Sequence, residues 1–202
     1  RGIGFELVTQ LAAAGHQILA LSRNENPVLD LSLPGVTTWC FDITNTEHIK
    51  KAANWVKSQW GTADVLIHNA GMLLNRPFKD STVDDFRAVY EVNFFGVSEL
   101  TRALVPFMEA EGHVLTISSM GGVQGSAKFP GLAAYSSSKG AVITLVELLA
   151  EEYKDTGPSF NVLALGAVQT EMLEAAFPGY QAPLSSREMA AYIGHFALTG
   201  HA

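Results

Sequence analysis

Residues 113–139 read HVLTISSMGGVQGSAKFPGLAAYSSSK. The pattern of this stretch indicates a strand that is followed by a helix. The run from His113 to Ile117 is short and largely apolar, which is typical of a buried strand. From residue 134 to residue 153 the apolar residues recur at helical spacing. Small and polar residues between these segments favour a loop. The stretch therefore predicts a strand, a loop and a long helix in succession, which is the repeating unit of parallel sheets.

The same alternation of strand and helix continues on both sides of this stretch. Besides 113–117, the predicted strands span residues 17–22, 37–41, 64–68 and 160–165. Besides 134–153, the predicted helices span residues 4–14, 46–60, 81–109 and 186–196, with Thr46 as the N-cap of the second. Strands that are apolar on both faces indicate a parallel sheet covered by helices on both sides. The sequence thus predicts an α/β fold with a doubly wound parallel β-sheet.

The length of 202 residues suits a single domain that spans residues 1–202. Hydrophobic residues make up 48% of the chain and charged residues 16%, so a large apolar core is expected. The first four residues, Arg1-Gly2-Ile3-Gly4, look like the end of a glycine-rich turn. The chain also stops soon after the last predicted helix. We therefore expect the domain to lack an element at each end.

The charge and cysteine content exclude several kinds of partner. The net charge is −7 and the pI is about 5.3, without a dense Lys/Arg cluster, which argues against nucleic acid. No apolar run reaches the length of a membrane span and no signal peptide opens the chain, so we predict no membrane partner and a cytoplasmic location. The single cysteine, Cys40, lies in an apolar stretch and is predicted to be a buried thiol.

Candidate functional residues follow two of the predicted strands, at the strand ends where parallel α/β sheets bind their ligands. Asn69-Ala70-Gly71 follows the strand 64–68, and small residues there let the backbone approach a ligand closely. Ser118 and Ser119 follow the strand 113–117. Taken alone, each motif also fits an ordinary turn. Three irregular stretches that follow strands are predicted to border a pocket: 24–35, 120–131 and 171–183.

Tyr135 and Lys139 lie one helical turn apart and share one face of the predicted helix. A free tyrosine has a pKa near ~10 and exchanges protons slowly at neutral pH. A nearby ammonium stabilises the phenolate and lowers that pKa. The pair therefore predicts a proton donor and acceptor, although a surface pair without function has the same spacing.

These motifs occur in a fixed order along the chain: Gly-x-Gly at its start, Asn69-Ala70-Gly71, an asparagine within the predicted helix 81–109, the serine pair and Tyr-x-x-x-Lys. In this order the chain resembles the short-chain dehydrogenase/reductase family, in its compact single-domain form, from first residue to last. The resemblance implies a Rossmann-like fold. It also implies a catalytic tetrad, namely Asn93, Ser119, Tyr135 and Lys139.

By this resemblance, Tyr135 donates a proton to the carbonyl oxygen during reduction, and Ser119 hydrogen-bonds that oxygen and holds it in position. Lys139 lowers the tyrosine pKa and bonds the nicotinamide ribose. Asn93 holds a water that links the lysine to solvent; a buried, helix-kinking residue bonded to backbone is its alternative and compatible role. Ser118 is the alternative to Ser119.

The resemblance also assigns cofactor binding. Gly2 and Gly4 correspond to the second and third glycines of the family's phosphate turn, at a helix N-terminus that favours anions. Asp42 corresponds to an acidic residue that contacts the adenine, with a turn aspartate as the alternative, and Thr170 to a threonine at the nicotinamide end. The predicted cofactor residues are Arg1, Gly2, Ile3, Gly4, Arg23, Asp42, Ile43, Asn69, Ala70, Gly71, Tyr135, Lys139, Gly166, Val168 and Thr170. No metal site is predicted.

The residues after the second strand bear on cofactor choice. Members of the family that prefer NAD place a carboxylate there to hold the ribose hydroxyls. This chain has Ser22 followed by Arg23. Arg23, helped by Arg1, suits the 2′-phosphate of NADP(H), which a carboxylate would repel. We therefore predict NADP(H) rather than NAD(H); a solvated arginine at a strand end is the alternative.

Three features depart from the family pattern. Ser119 and Tyr135 are 16 positions apart (135 minus 119), which predicts a longer loop than usual. Leu165-Gly166 replaces a Pro-Gly pair, so the rigid turn proline is missing. The stretch 171–183 is short and is expected to wall a modest apolar pocket with Met172, Phe177 and Tyr180. In addition, His68 stands where an asparagine is common, a change that we expect to be tolerated.

The sequence therefore predicts an NADPH-dependent oxidoreductase that transfers a hydride between the nicotinamide and a small-molecule carbonyl or alcohol. Thioesters of 3-oxo acids, small ketones, diketones and pterins all remain compatible. The alternatives are a nucleotide-binding regulatory or scaffold protein without turnover, and an epimerase or dehydratase. The helices 81–109 and 134–153 are apolar on more than one face, and family members pair these helices, so a homodimer or homotetramer is expected. Burial within the monomer is the alternative.

Overall fold

The computed structural model describes residues 1–200, and its internal contacts divide the chain into two compact units. We call residues 1–42 together with 167–200 the terminal unit, and residues 43–166 the central unit. Each unit has its own strands and helices. The prediction of one single domain stays a prediction.

The described part of the chain alternates strands and helices. The strands are β1 (Ile18–Ser22), β2 (Val36–Cys40), β3 (Val65–His68), β4 (His113–Ser119), β5 (Ser159–Leu165), β6 (Val168–Gln169) and β7 (Leu184–Ser185). The helices are α1 (Gly2–Ala13), α2 (Asn26–Leu29), α3 (Thr46–Trp55), α4 (Val83–Tyr90), α5 (Gly96–Leu104), α6 (Ala133–Tyr153), α7 (Glu171–Ala176) and α8 (Ser186–Thr199). Turns of π-helix cover Val56–Trp60 and Glu91–Phe95, and turns of 3-10 helix cover Phe78–Asp80, Val105–Phe107 and Met120–Gly122.

The terminal unit is built on two short parallel strand pairs. β1 pairs with β2 so that Ser22 lies opposite Cys40, and β6 pairs with β7. Helix α1 packs on α8. Gly194 of α8 faces Leu7 of α1, and a Cβ there would be in ordinary van der Waals contact with the Leu7 Cδ2, at 3.7 Å. Leu7 and Ile193 are both buried, so this helix pair forms an apolar core.

The central unit holds a three-stranded parallel sheet with β4 between β3 and β5. Helix α6 packs on β4 and β5, and the core joins Val114, Val146 and Phe160. The strand β4 is buried from His113 to Ser118, as expected of a strand covered on both faces. Because the three strands are parallel, their carboxyl ends share one edge of the sheet.

The predicted strands are all present, and so are the predicted helices apart from 81–109, but one predicted cap is wrong. The N-cap of α3 is Asn45, whose side chain accepts hydrogen bonds from the N–H groups of Glu47 and His48. Asn45 keeps an extended backbone, whereas Thr46 is already the first helical residue. The side chain that satisfies the first N–H groups must belong to the residue just outside the helix, which is Asn45.

The single long helix predicted over 81–109 is also wrong. The chain forms α4, then the π-turn Glu91–Phe95, then α5. Thr82 caps α4 in a reciprocal pair with Asp85. Gly96 follows the π-turn and is packed tightly, because a Cβ there would lie 2.9 Å from the Ile43 carbonyl oxygen. Side-chain periodicity does not reveal such a bulge, because it inserts only one residue into a helix.

Two further expectations differ from the structure. The stretches 24–35 and 171–183 are not wholly irregular, because the first contains α2 and the second begins with α7, which the Thr170 side chain caps. Cys40 is exposed rather than buried, because it is the last residue of β2. Of the helices within residues 1–200, none has the length and apolar character needed to span a membrane.

Candidate active site

The tyrosine and lysine singled out by the sequence lie on α6, one turn apart. Lys139 is buried, with 5% of its surface exposed, and its Nζ lies 6.0 Å from the centre of the Tyr135 ring. The ammonium donates a hydrogen bond of 2.7 Å to the main-chain oxygen of Ile117 on β4. Burial lowers the pKa of Lys139 to about 8. The structure thus fixes a cation beside the tyrosine at the end of β4.

The phenol of Tyr135 is held by Ser119. Burial raises the pKa of Tyr135, and the hydrogen bond with Ser119 partly opposes that rise. This differs from the expectation that the lysine charge would lower this pKa: removal of the phenol from water is the largest effect, and the opposing effect comes from Ser119. Tyr135 is therefore protonated at neutral pH and in the correct state to donate a proton.

Ser118 and Ser119, adjacent in sequence, have different contacts. Ser118 is buried and its hydroxyl donates a 2.8 Å hydrogen bond to the main-chain oxygen of Lys139. Ser119 is partly exposed, and its Oγ accepts a hydrogen bond from the Gly121 N–H at 3.2 Å. Both serines thus bond α6, but at different groups of the helix. Ser119, the serine preferred from the sequence, makes that contact.

Asn93 is fully buried at the middle of the π-turn between α4 and α5. Its Oδ1 accepts from the Met72 N–H at 2.8 Å, and its Nδ2 donates to the Met72 carbonyl at 2.9 Å. The same Nδ2 also donates to the Ser138 Oγ at 2.9 Å. Asn93 therefore ties the segment after β3 to α6, the structural role that the sequence left open for it.

The segment Asn69-Ala70-Gly71 leaves the end of β3 directly beside this cluster. A Cβ at Gly71 would lie 3.6 Å from the Asn93 Oδ1 and 3.7 Å from the Lys139 Nζ. Gly71 thus lies next to both groups, with room for no more than a small side chain between them. Two other predicted cofactor residues of the central unit are Ile43, which is buried, and Gly166, which is exposed after the end of β5.

His68 has a structural role that the sequence did not reveal. It is buried at the end of β3, and its Nε2 lies 2.8 Å from the Thr101 Oγ1. The Thr101 hydroxyl donates to the Val97 carbonyl, so its oxygen accepts and Nε2 carries the imidazole proton. Burial, and then the charge of Lys139, lower the pKa of His68 to about 4. His68 is therefore a neutral imidazole that feels the charge of Lys139. From the sequence it differed from the family only as a histidine at a position where an asparagine is common.

In the terminal unit, three predicted cofactor residues share one cavity of about 820 Å³: Arg1, Gly2 and Thr170. Gly2 has a φ of +57°, and a Cβ there would lie 3.7 Å from the Thr170 Cγ2. Three carboxylates, those of Glu6, Glu171 and Glu174, line the same cavity as Arg1, and a Cβ at Gly2 would lie 3.5 Å from the Glu171 Oε2. The cavity is also lined by Pro27, Glu171, Glu174 and Ala175, which belong to the stretches 24–35 and 171–183 predicted to border a pocket. The lining residues that the sequence did not single out are Phe5, Glu6, Gln169 and Ser186.

The remaining predicted cofactor residues of this unit are spread over its elements. Ile3 and Gly4 lie in the first turn of α1, and Val168 is buried in β6. Arg23 is exposed directly after β1, and its main-chain oxygen accepts from the Cys40 thiol at 3.4 Å. Within residues 1–200, no salt bridge involves Arg23. Asp42 is partly buried just after β2.

The sequence profile described as short chain dehydrogenase matches residues 1–181. The chain belongs to the short-chain dehydrogenase family. It is 30% identical to Oxidoreductase BOA17 of Botryotinia fuckeliana (strain B05.10), over 98% of this chain and 72% of that protein. It is 32% identical to Dehydrogenase/reductase SDR family member 7B of Mus musculus, over 85% and 56%. It is 31% identical to Carbonyl reductase [NADPH] 2 of Sus scrofa, over 75% and 62%.

The chain thus spans between 56% and 72% of the length of these three relatives. A solved short-chain dehydrogenase from Streptomyces avermitilis is similar over 98% of this chain and 80% of its own, with a TM-score of 0.85 and 30% identity. The KRED1-Pglu enzyme is similar over 98% and 91%, with a TM-score of 0.85 and 26% identity. The predicted Rossmann-like α/β fold of short-chain dehydrogenases is confirmed. Members of this family are oxidoreductases that bind a nicotinamide cofactor.

Proposed function

We propose that the protein is an NADPH-dependent oxidoreductase that transfers a hydride between the nicotinamide and a small-molecule carbonyl or alcohol. The observation that carries the proposal is the protonated phenol of Tyr135, which is bonded to Ser119 and lies one helical turn from the buried Lys139 ammonium. These three groups meet at the carboxyl end of β4, the edge at which parallel α/β sheets bind ligands.

Each residue of the cluster has a distinct task in the proposed reduction. Tyr135 donates its proton to the substrate oxygen, and Ser119 holds that oxygen in place with a hydrogen bond. Lys139 stabilises the phenolate that remains and bonds the nicotinamide ribose. Asn93 fixes the backbone at Met72 beside them. The bound nicotinamide supplies the hydride.

The pKa values of the cluster predict how the reaction depends on pH. Because burial lowers the pKa of Lys139 to about 8, its ammonium is lost as the pH rises through that value. Tyr135 then loses the charge that stabilises its phenolate. The rate of reduction should therefore fall above about pH 8, and a plot of kcat against pH checks this.

The charge at the end of β1 supports NADPH over NADH. Arg23 is exposed, and no carboxylate occupies the position of Ser22. An arginine fork binds a phosphate through parallel hydrogen bonds, whereas a carboxylate would repel it. One relative is named as an NADPH-dependent carbonyl reductase, which agrees with this choice. Arg1 lines the cavity of the terminal unit and is the second cation proposed for the phosphates.

The remaining proposed cofactor contacts follow the family pattern. They are Gly2, Ile3, Gly4, Asp42, Ile43, Asn69, Ala70, Gly71, Gly166, Val168 and Thr170. A small-molecule substrate, a cytoplasmic location and a homodimer or homotetramer also stay predictions.

The test measures binding and turnover separately. NADPH and NADH are titrated into the protein, and the absorbance of the reduced cofactor is then followed with a panel of diketones, small ketones and 3-oxoacyl thioesters. We expect tighter binding of NADPH and oxidation of the cofactor by at least one carbonyl class. Cofactor binding without turnover on any of these would favour a nucleotide-binding regulatory protein. Failure to bind either cofactor would refute the proposal.

A further inference from the structure

Two consecutive residues at the end of β4 hold Lys139 at both of its ends. The carbonyl oxygen of Ile117 accepts a hydrogen bond from the Lys139 Nζ at 2.7 Å. The hydroxyl of Ser118 donates to the Lys139 main-chain oxygen at 2.8 Å. All three residues are buried, so these bonds lie away from water, where hydrogen bonds are strongest. The strand end therefore fixes both the backbone and the ammonium of the same lysine.

The turn that follows β4 presses on the same part of α6. A Cβ at Gly122 would lie 2.6 Å from the Lys139 carbonyl carbon, so only a glycine fits there without displacement. A Cβ at Gly121 would lie 2.8 Å from the Ser136 Oγ. The backbone of residues 121–122 is thus packed directly on the helix between Tyr135 and Lys139. Because β4 and its turn pack this closely on α6, a shift of the helix would break the hydrogen bond from Ser118 to the Lys139 main-chain oxygen.

We propose that Ser118 is a positioning residue for hydride transfer: its hydroxyl fixes the Lys139 segment of α6 against β4 and so sets where the ammonium and the phenol lie beside Ser119. The inference rests on the proposed function, because it gives a second task to the serine pair at the reacting centre. Ser119 faces the phenol, and Ser118 acts through Lys139 without touching substrate or cofactor.

The position of the Ser118–Lys139 hydrogen bond explains how it affects the reacting groups. Ile117, Ser118 and Ser119 are successive residues of one strand, so an anchor at the middle residue fixes the neighbours on both sides. Loss of the Ser118 hydroxyl leaves the Lys139 main-chain oxygen without its contact to the strand. The glycine turn and the Ile117 bond still hold the helix, so we expect a shift of only a fraction of an ångström, with more water at the ammonium. Small displacements of catalytic groups are costly, since roughly 1 Å can lower a rate about a hundredfold.

The experiment compares three variants. Ser118→Ala removes the hydroxyl, and Ser118→Thr keeps it. Ser137→Ala is the matched control, because Ser137 also donates to a main-chain oxygen of α6, that of Ala134 at 3.2 Å, but is exposed. For Ser118→Ala we expect kcat to fall roughly tenfold, within the range for slightly misplaced groups, and the affinity for NADPH to fall by less, because Lys139 makes only one of the proposed cofactor contacts. Ser118→Thr should restore most of kcat, and Ser137→Ala should match the wild type.

A second readout separates positioning from a general loss of stability. The pKa of Lys139 is measured from the ¹³C chemical shift of its Cε during a pH titration. In Ser118→Ala this pKa should rise from about 8 toward the ordinary lysine value, because water relieves the burial that lowers it. The alkaline limb of kcat should move to higher pH by the same amount. Denaturant unfolding of each variant confirms that the protein remains folded at the assay temperature.

Two results would overturn the inference. One is a folded Ser118→Ala protein in which both kcat and the Lys139 pKa equal those of the wild type. The other is a Ser118→Thr protein as impaired as Ser118→Ala, because the hydroxyl would then have no part in the effect. A wild-type protein without turnover on any carbonyl would instead refute the proposed function. The Lys139 titration would still decide whether Ser118 fixes the lysine.

Discussion

The two units of the chain differ in whether the polar residues of the proposed site are buried or exposed. In the central unit, Asn93 and Lys139 are buried, and each makes hydrogen bonds to main-chain groups. In the terminal unit, Arg1 and Arg23 are exposed, and the cavity that Arg1 lines has a volume of about 820 Å³. The buried cluster is ordered by hydrogen bonds within the protein, whereas the exposed arginines are solvated and accessible to a ligand. The proposed proton transfer thus depends on buried, hydrogen-bonded groups. The proposed cofactor choice depends on exposed charge.

The strongest test of this contrast removes the phenolic hydroxyl. Tyr135→Phe should lower kcat by about a thousandfold, within the usual contribution of a positioned proton donor, and leave NADPH affinity unchanged. Stopped-flow turnover and a fluorescence titration of the cofactor measure the two quantities. Tyr153→Phe, on the same helix but in contact with Phe160 in the core, is the control and should retain full kcat. Wild-type turnover by Tyr135→Phe would exclude the mechanism.

The next test concerns the buried imidazole. The pKa of His68 is about 4 when folded and near its ordinary value of 6.5 when unfolded, so the unfolded chain binds the proton more tightly. The contribution of His68 to stability is therefore complete above about pH 6.5 and is lost as the pH falls toward 4. The difference of 2.5 pKa units corresponds to about 3 kcal/mol in the free energy of unfolding.

His68→Asn, which restores the residue common in the family, should remove that acid-dependent part. Denaturant titrations at neutral pH and near pH 4 measure the free energy of unfolding of both proteins. His16→Asn is the control, because His16 is exposed in the terminal unit. An equal loss of stability on acidification in wild type and His68→Asn would show that another group is responsible.

A smaller effect is expected where the charged group is exposed. Arg23→Asp should weaken NADPH binding by roughly tenfold to a hundredfold, the range for loss of a bidentate phosphate contact, and should improve NADH binding. Arg187→Asp makes the same charge change on α8 and should leave the preference between the cofactors unchanged. Isothermal titration with each cofactor gives the ratio of affinities. An unchanged ratio in Arg23→Asp would leave Arg23 as a solvated surface residue.

The smallest effects are expected for the helix N-caps. Each unit has one reciprocal cap, in which the N-cap residue and the third helical residue each bond the other's main-chain N–H. Thr82→Ala removes the cap of α4, and Ser185→Ala removes the cap of α8. Each should lower the free energy of unfolding by about 1 kcal/mol, the usual value for such a cap. Neither should change kcat, since neither side chain contacts the proposed site. A loss of kcat from either variant would show that the site depends on distant parts of its unit.

Local sequence signals were sufficient for part of the site. Tyr135 and Lys139 share a helix face because of their spacing, and the structure keeps both on α6. The sequence also preferred Ser119 over Ser118, and the contact with Tyr135 agrees. Strand alternation does not make this choice by itself, because Ser118 also bonds α6, at the Lys139 main-chain oxygen. Which face Ser119 occupies depends on how β4 packs against α6.

Other features could not be predicted because distant residues decide them. The direction of the Tyr135 pKa shift depends on burial, which is a property of the packed protein. The break of the helix 81–109 at Glu91–Phe95 accompanies the bonds from Asn93 to Met72 and Ser138, far away in sequence. The exposure of Cys40 follows from its place at the end of β2. None of these three features is indicated by the residues that are adjacent to it in the sequence.

The sequence by itself determined the alternation of strands and helices, the family and the residues that carry the proposed chemistry, because periodicity and motif spacing are properties of neighbouring residues. The tertiary structure alone decided that Ser118 bonds Lys139, that His68 stays neutral beside it and that Gly122 must lie against α6. The reason is physical: hydrogen bonds, desolvation and close packing depend on distances in space, and residues far apart in the chain come together only when the protein folds.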